Sequence, residues 1–201
     1  MSNRSITTRG FTLIELMIVV TIVGILAGVA IPSFVVAVRN SRLTAASNQL
    51  VTSLNFARSE AIKRGQITIV SKTGTNWENG WQVFVDIDRS DAAKTNAFND
   101  DADTTLCEAT EDCKLRVYES LPTNYTLRTT SGFSNYISFS PSGESNTVGS
   151  FAICDNTDAN DAPESHTAKL LIINTVGRVR QGQDNDGDGI PDGLTSCISP
   201  P

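Results

Sequence analysis

Three groups of side chains in the 201-residue sequence are spaced for chemistry. In "DNDGDGIPD", residues 184–192, Asp184, Asp186, Asp188 and Asp192 set alternating carboxylates around Gly187 and Gly189, a hard-oxygen loop suited to Ca2+. It is not a full EF-hand loop, because the twelfth position counted from Asp184 is Thr195 and not glutamate, and a plain acidic turn has the same composition. In "GRVR", Gly177 to Arg180, a strand puts Arg178 and Arg180 on one face about 7 Å apart with Val179 opposite, a spacing that suits successive phosphates. Two arginines on an exposed strand face are also common without any ligand. The third group is Glu15, a lone carboxylate near the start of the apolar stretch "RGFTLIELMIVVTIVGILAGVAIPSF", residues 9–34. A charge at that depth calls for a partner, and a cut between Gly10 and Phe11 would create one, the new amine of Phe11.

The remaining reactive residues narrow the field. Cys107, Cys113, Cys154 and Cys197 are an even set downstream of the apolar stretch, which favours disulfides in an oxidising compartment. Three connectivities are open; Cys107 with Cys113 and Cys154 with Cys197 is preferred, giving one local loop and one long clamp. Zinc is disfavoured, since there is no CxxC pair and His166, in the loop "DAPESHTAK", is the only histidine. No nucleophile elbow or metalloprotease motif gathers Ser, Asp and His, so the expectation is a protein that is not an enzyme and requires no cofactor, with calcium an optional ligand. The formal charge of -6 argues against a broadly basic surface, so any contact with nucleic acid must be local and salt-sensitive.

Positioning these groups takes an anchor, a helix and a sheet-rich head. Leu16 to Val38 carries no formal charge and as a helix covers about 34 Å, enough for a hydrocarbon core of roughly 30 Å. Arg4 and Arg9 on its near side keep the N-terminus cytoplasmic, although Arg39 and Arg42 weaken the asymmetry. A conventional signal peptide ending at "AGVA" is the alternative; Glu15 inside the apolar region and the lack of a breaker before Pro32 oppose it. Gly24 and Gly28 form a GxxxG spacing, and Pro32 predicts a bend or loosened hydrogen bonding. Leu43, Ala46, Leu50, Leu54, Ala57 and Ala61 then recur at three- and four-residue steps and Gly65 supplies a stop, which predicts one helix from about Thr12 to Arg64.

Beyond Gly65 the period shifts toward two. "QITIVSK", "WQVFVDID", "KLRVYES", "YTLRTT", "NYISFSPSG", "SFAICDN" and "AKLLIINTVGRVRQ" read as seven strands without α/β alternation. Ile67, Ile69, Val83, Val85, Ile172 and Val179 are expected in the core, with Trp77 and Trp81 as packing aromatics. The polar, acidic stretch from Ser90 to Cys113 predicts an exposed insertion.

The stretch from Arg9 to Phe34 resembles the class III leader and N-terminal helix of type IV pilins and type II secretion pseudopilins. "LNFARSEAIKRGQITI", "GWQVFVDID", "LRVY", "ISFSPSG" and "LLIINTVGRVR" further resemble the GspH/FimT family of pseudopilins and minor pilins, FimT most of all. The resemblance implies an α+β, type IV pilin-like fold, with a long N-terminal helix and a strand-rich, two-sheet C-terminal head. It implies a leader over 1–10, a transmembrane and assembly segment over 11–38, an amphipathic stalk over 39–64 packed on a head over 65–201, and in that head an acidic insertion at about 90–113 and an acidic loop at 184–192. Prepilin peptidase is expected to cut after Gly10 and methylate Phe11, with Glu15 serving methylation and docking against the adjacent subunit. The implied protein is a minor type IV pilin that helps initiate or functionalise the pilus. It sits in the inner membrane as a single-pass protein with its head in the periplasm, and its partners are other minor and major pilins, prepilin peptidase and the inner-membrane pilus assembly platform. In FimT-like pilins of naturally transformable bacteria, the positions matching Gly177, Arg178 and Arg180 are linked to capture of double-stranded DNA. A minor pseudopilin of a type II secretion system and a calcium-dependent adhesive module are the alternatives.

Overall fold

A computed structural model of the chain describes residues 10–100, 107 and 110–201. Residues 1–9 of the expected leader, with Arg4 and Arg9, and residues 101–106 and 108–109 of the expected insertion lie outside the described residues. Two compact units form, Met1–Arg39 and Asn40–Pro201.

Helix α1 runs Leu13–Arg64. Its start follows from a cap: Thr12 Oγ1 accepts the Glu15 amide at 3.3 Å, and Glu15 lies in the first turn, where a carboxylate complements the helix dipole. Within the first unit the large apolar side chains from Phe11 to Val36 are exposed, and α1 is long and apolar enough to cross a membrane. In the second unit the expected stripe is realised, with Leu43, Ala46, Leu50, Leu54, Ala57 and Ala61 all buried. Gly65 ends the helix in the left-handed region at φ 67°, its amide donating to Ala61 O at 2.9 Å. Arg64, bonded to Glu60 at 2.7 Å, holds that carboxyl below its ordinary range.

Eight strands follow: β1 (Thr68–Lys72), β2 (Trp81–Val85), β3 (Cys113–Tyr118), β4 (Tyr125–Thr129), β5 (Tyr136–Phe139), β6 (Gly149–Asp155), β7 (Ala168–Ile173) and β8 (Val179–Gln181). They pair as two antiparallel four-stranded sheets, β3-β2-β1-β5 and β4-β6-β7-β8. Val70, Val83 and Ile137 of the first sheet and Leu127, Phe151, Ile153 and Leu171 of the second bury their side chains with Leu50 and Leu54 of the helix, each such burial stabilising by about 1.5–3 kcal/mol. Both tryptophans are packing aromatics with satisfied indoles: Trp81 Nε1 donates to Ser53 Oγ at 2.9 Å and Trp77 Nε1 to Phe133 O at 3.0 Å.

The second sheet is buried on its other face too. Ala152, Cys154, Ala168 and Leu170 pack beneath Leu194 and Cys197 of the C-terminal tail. A disulfide joins Cys154 to Cys197 across 43 residues, a closure worth about 4 kcal/mol by chain entropy. The Ser150 hydroxyl donates to the Pro201 carbonyl at the chain's end.

The structure departs from the sequence expectations in three places. "AKLLIINTVGRVRQ" is two strands, because the chain reverses over 174–177. Ile67, Ile172 and Val179 are half-buried, whereas Ile69, Val83 and Val85 are fully buried. The acidic insertion is exposed at 90–93, as expected, but is buried at its far end, 111–113. Asp112 is buried, its Oδ1 accepting the amides of Ile87 (2.9 Å) and Asp88 (3.1 Å) and its Oδ2 that of Asn99 (2.9 Å). A carboxylate so supplied with backbone donors can leave water at modest cost, although burial still pushes Asp112 and Asp86 upward. Asp86 binds the Arg89 guanidinium, and a second disulfide joins Cys107 to Cys113.

Candidate functional site

Gly10 and Phe11 precede the first turn of α1 and are exposed, Phe11 at 82 %. Glu15 is exposed on that turn, so the junction Gly10–Phe11 and the carboxylate are presented together at the head of the helix.

Gly177 closes the β7–β8 turn. Its φ of 74° lies in the left-handed region, its amide donates to Asn174 O at 2.8 Å, and a Cβ there would run into the Gly143 carbonyl. Glycine is required on both counts. That carbonyl also accepts Arg58 Nε at 2.8 Å, so helix, "SPSG" turn and "VG" turn meet at one corner of the second unit. Asn174 Oδ1 takes the Arg178 amide at 2.9 Å. Arg178 immediately precedes β8, and Arg180 lies within it opposite Ile172. Strand alternation puts both arginines on the face away from Val179, which packs toward the main core. Both are exposed, and neither guanidinium has a hydrogen bond or ion pair among the described residues. They are positioned by Arg58 and Asn174, which sequence reading did not single out; the available signal was the pairing of "SPSG" and "TVG" with an arginine on the helix face that meets them.

The acidic loop follows β8. Asp184, Asp186 and Asp188 are exposed and bring carboxylate oxygens within 4.8 Å of one another, an all-oxygen set that fits a hard cation. Asp192 is not among them: its carboxylate takes the Asn185 amide at 3.1 Å and the Asn185 side chain. What burial Asp184 has would raise its pKa, but the Gly187 and Gly189 amides, at 2.8 and 2.9 Å, bring it below its ordinary value. His166 is exposed, and its amide donates to Gly189 O at 2.9 Å.

A methylation-type helix leading into a head of two antiparallel sheets defines the type IV pilin-like class. The prokaryotic N-terminal methylation motif matches residues 7–31, and the Type II transport protein GspH family matches residues 46–177. The chain belongs to the GspH family. A fimbrial protein of Pseudomonas aeruginosa is 45% identical over 65 residues, which cover 32% of this chain and 42% of that protein. The type IV major alpha-pilin of Moraxella bovis is 39% identical over 72 residues, 35% of this chain and 45% of that one. The chain thus spans less than half the length of these curated relatives. The crystal structure of the Pseudomonas aeruginosa type IV minor pilin FimU shares the fold at a TM-score of 0.52 and 20% identity, covering 79% of this chain and 96% of that one.

Proposed function

We propose that the chain is a minor type IV pilin of the FimT kind, a structural subunit and not an enzyme, that helps initiate or functionalise the pilus and binds double-stranded DNA through Arg178 and Arg180. The observation that carries the DNA reading is the pair of exposed, unengaged guanidiniums on one face of an edge strand, held by a rigid turn. Before assembly the chain sits in the inner membrane through α1 with its head in the periplasm; its partners are other minor and major pilins, prepilin peptidase and the assembly platform. Calcium at Asp184, Asp186 and Asp188 belongs to the same reading, since a bound cation relieves repulsion between those carboxylates and a phosphate backbone.

The test is a titration of the full chain in detergent against unrelated duplexes, with and without calcium, at several salt concentrations. Two phosphate contacts predict a log–log salt slope of about -1.8 and no sequence preference. Arg178→Ala with Arg180→Ala should abolish that binding. Equal affinity of the double variant would remove the arginines as the site while leaving the filament role standing on Phe11, Glu15 and α1.

A second reading, a minor pseudopilin of a type II secretion system, is favoured by the description of the matched family. Loss of secretion without loss of pili on deleting the chain would select it. A calcium-dependent adhesive module would instead bind a surface in the absence of any filament.

A further inference from the structure

The outer face of the first sheet carries a cleft whose lining differs in chemistry from the arginine face. A cleft of about 430 Å³ opens between strands β5, β1 and β2 and the start of the acidic insertion. Its floor is a row across three adjacent strands: Tyr136 pairs with Ser71, and Ser71 with Gln82. Ser71 follows Val70, whose side chain is in the core, so strand alternation turns the row away from the core. At about 4.8 Å per strand the row presents a phenol, a hydroxyl and a carboxamide at even steps. Asn135 and Asn96 add two more carboxamides at the walls. Asn96 is held in the left-handed region at φ 63°, with its amide bonded to the Asp86 carboxylate at 3.2 Å. Phe98 forms a T-shaped pair with Phe84, ring centroids 5.3 Å apart, carries the Lys114 ammonium 4.3 Å over its ring, and closes one wall.

The side-chain amides of Gln82, Asn96 and Asn135 and the hydroxyls of Ser71 and Tyr136 make no hydrogen bond to protein among the described residues. Among the described residues no carboxylate lines the cleft, which removes the means to select a cation. Among the described lining residues the one cation is Lys72, whose ammonium donates to Thr75 O at 2.8 Å. Lys114, over the Phe98 ring, is ion-paired with Asp100 at 3.9 Å, which leaves too little positive charge for nucleic acid. An extended peptide is not suited either, because strand addition runs along a sheet edge, whereas this row lies on the sheet face and is centred on β1, which is paired on both sides. What fits is a neutral ligand rich in adjacent hydroxyls. Each carboxamide offers a donor and an acceptor side by side, matching a vicinal diol, and the Tyr136 ring gives the C–H face of a sugar an apolar surface.

We propose that this cleft binds a neutral saccharide, independently of the arginine face. An open, solvated cleft predicts a Kd on the order of 1 mM. The full chain, in micelles of a phosphocholine detergent that carries no sugar headgroup, is titrated with a neutral glucan tetramer, an N-acetylglucosamine tetramer and a polyuronate while amide resonances of Ser71, Gln82 and Asn135 are followed. Saturable shifts of these amides are expected with one or both neutral glycans and not with the polyuronate. Gln82→Ala with Asn96→Gly should weaken that binding at least about tenfold (about 1.4 kcal/mol) with Tm retained, glycine being at ease at Asn96's φ. No saturable shift by either neutral glycan at about 20 mM, equal binding by the variant, or the same shifts produced instead by duplex DNA or a neutral peptide would each overturn the proposal.

Discussion

Glu15 has two roles that can be separated in size. As third residue of α1 it lies in the turn capped by Thr12, a placement worth about 0.3–1 kcal/mol to the helix. The assembly role proposed for it is far larger in consequence. Glu15→Ala should therefore leave membrane insertion intact, the segment having become more apolar, while cutting incorporation into filaments, as read by pilus counts and shear fractions. Normal incorporation would reduce the carboxylate to a helix cap. Asp88 makes a comparable case for a buried charge. The Lys94 ammonium, 2.6 Å away, is the main reason its pKa falls from 3.8 to about 2, with Ser90 assisting. Between those values the unfolded chain binds more protons at this site than the folded one, so the pair's contribution is complete above about pH 4 and lost as pH falls through 2. Lys94→Met should lower Tm at pH 7 and converge on the parent by pH 2; a Tm gap independent of pH would show that packing, not charge, is lost.

At the scale of elements, the β7–β8 turn is where fold and proposed activity are joined. Gly177 combines a left-handed φ of 74° with close approach to Gly143 O, and the Arg58 bond to that same carbonyl fastens the turn to α1. Gly177→Ala should cost about 1–3 kcal/mol in denaturant unfolding, since the methyl group can be accommodated only by moving one of the turns. In the same variant DNA affinity should fall although Arg178 and Arg180 are both present. Unchanged affinity beside lowered stability would mean that the arginines act without the turn's rigidity.

For the whole molecule the decisive number is the mature N-terminus. Cleavage after Gly10 removes ten residues, leaves 191 beginning at Phe11, and takes Arg4 and Arg9 with it, so the formal charge moves from -6 to -8. Intact mass of membrane-extracted protein reads this directly, with one added methyl group as the expected modification. A chain beginning at Ile31 would instead indicate ordinary signal-peptidase processing and loss of the anchor. A more acidic mature chain also sharpens the DNA reading, because binding must then rest on a local pair of cations against an unfavourable long-range field.

Much of this protein is determined locally and was legible for that reason. The apolar run with its single carboxylate, the six-residue stripe from Leu43 to Ala61 and the stop at Gly65 each depend on residues within a turn or two, and the structure buries every member of that stripe. Strand-type runs between turn residues likewise located the strand segments of the head, except that β7 and β8 read as one. Tertiary structure alone decided what lay between them. The two-residue period of "GRVR" says which side chains share a face, but not that the chain turns at Gly177, because the obstacle there is a carbonyl 34 residues earlier. The unbroken apolar runs in "SFAICDN" and "AKLLII" did carry a signal of sheet buried on both faces, yet what covers the second face, the tail carrying Leu194 and Cys197, is separated from them by dozens of residues. The row of Tyr136, Ser71 and Gln82 is invisible in the sequence for the same reason. Helix faces and strand alternation follow from short-range geometry, whereas sites made across strands depend on which distant segments become neighbours, and that is settled only when the core closes.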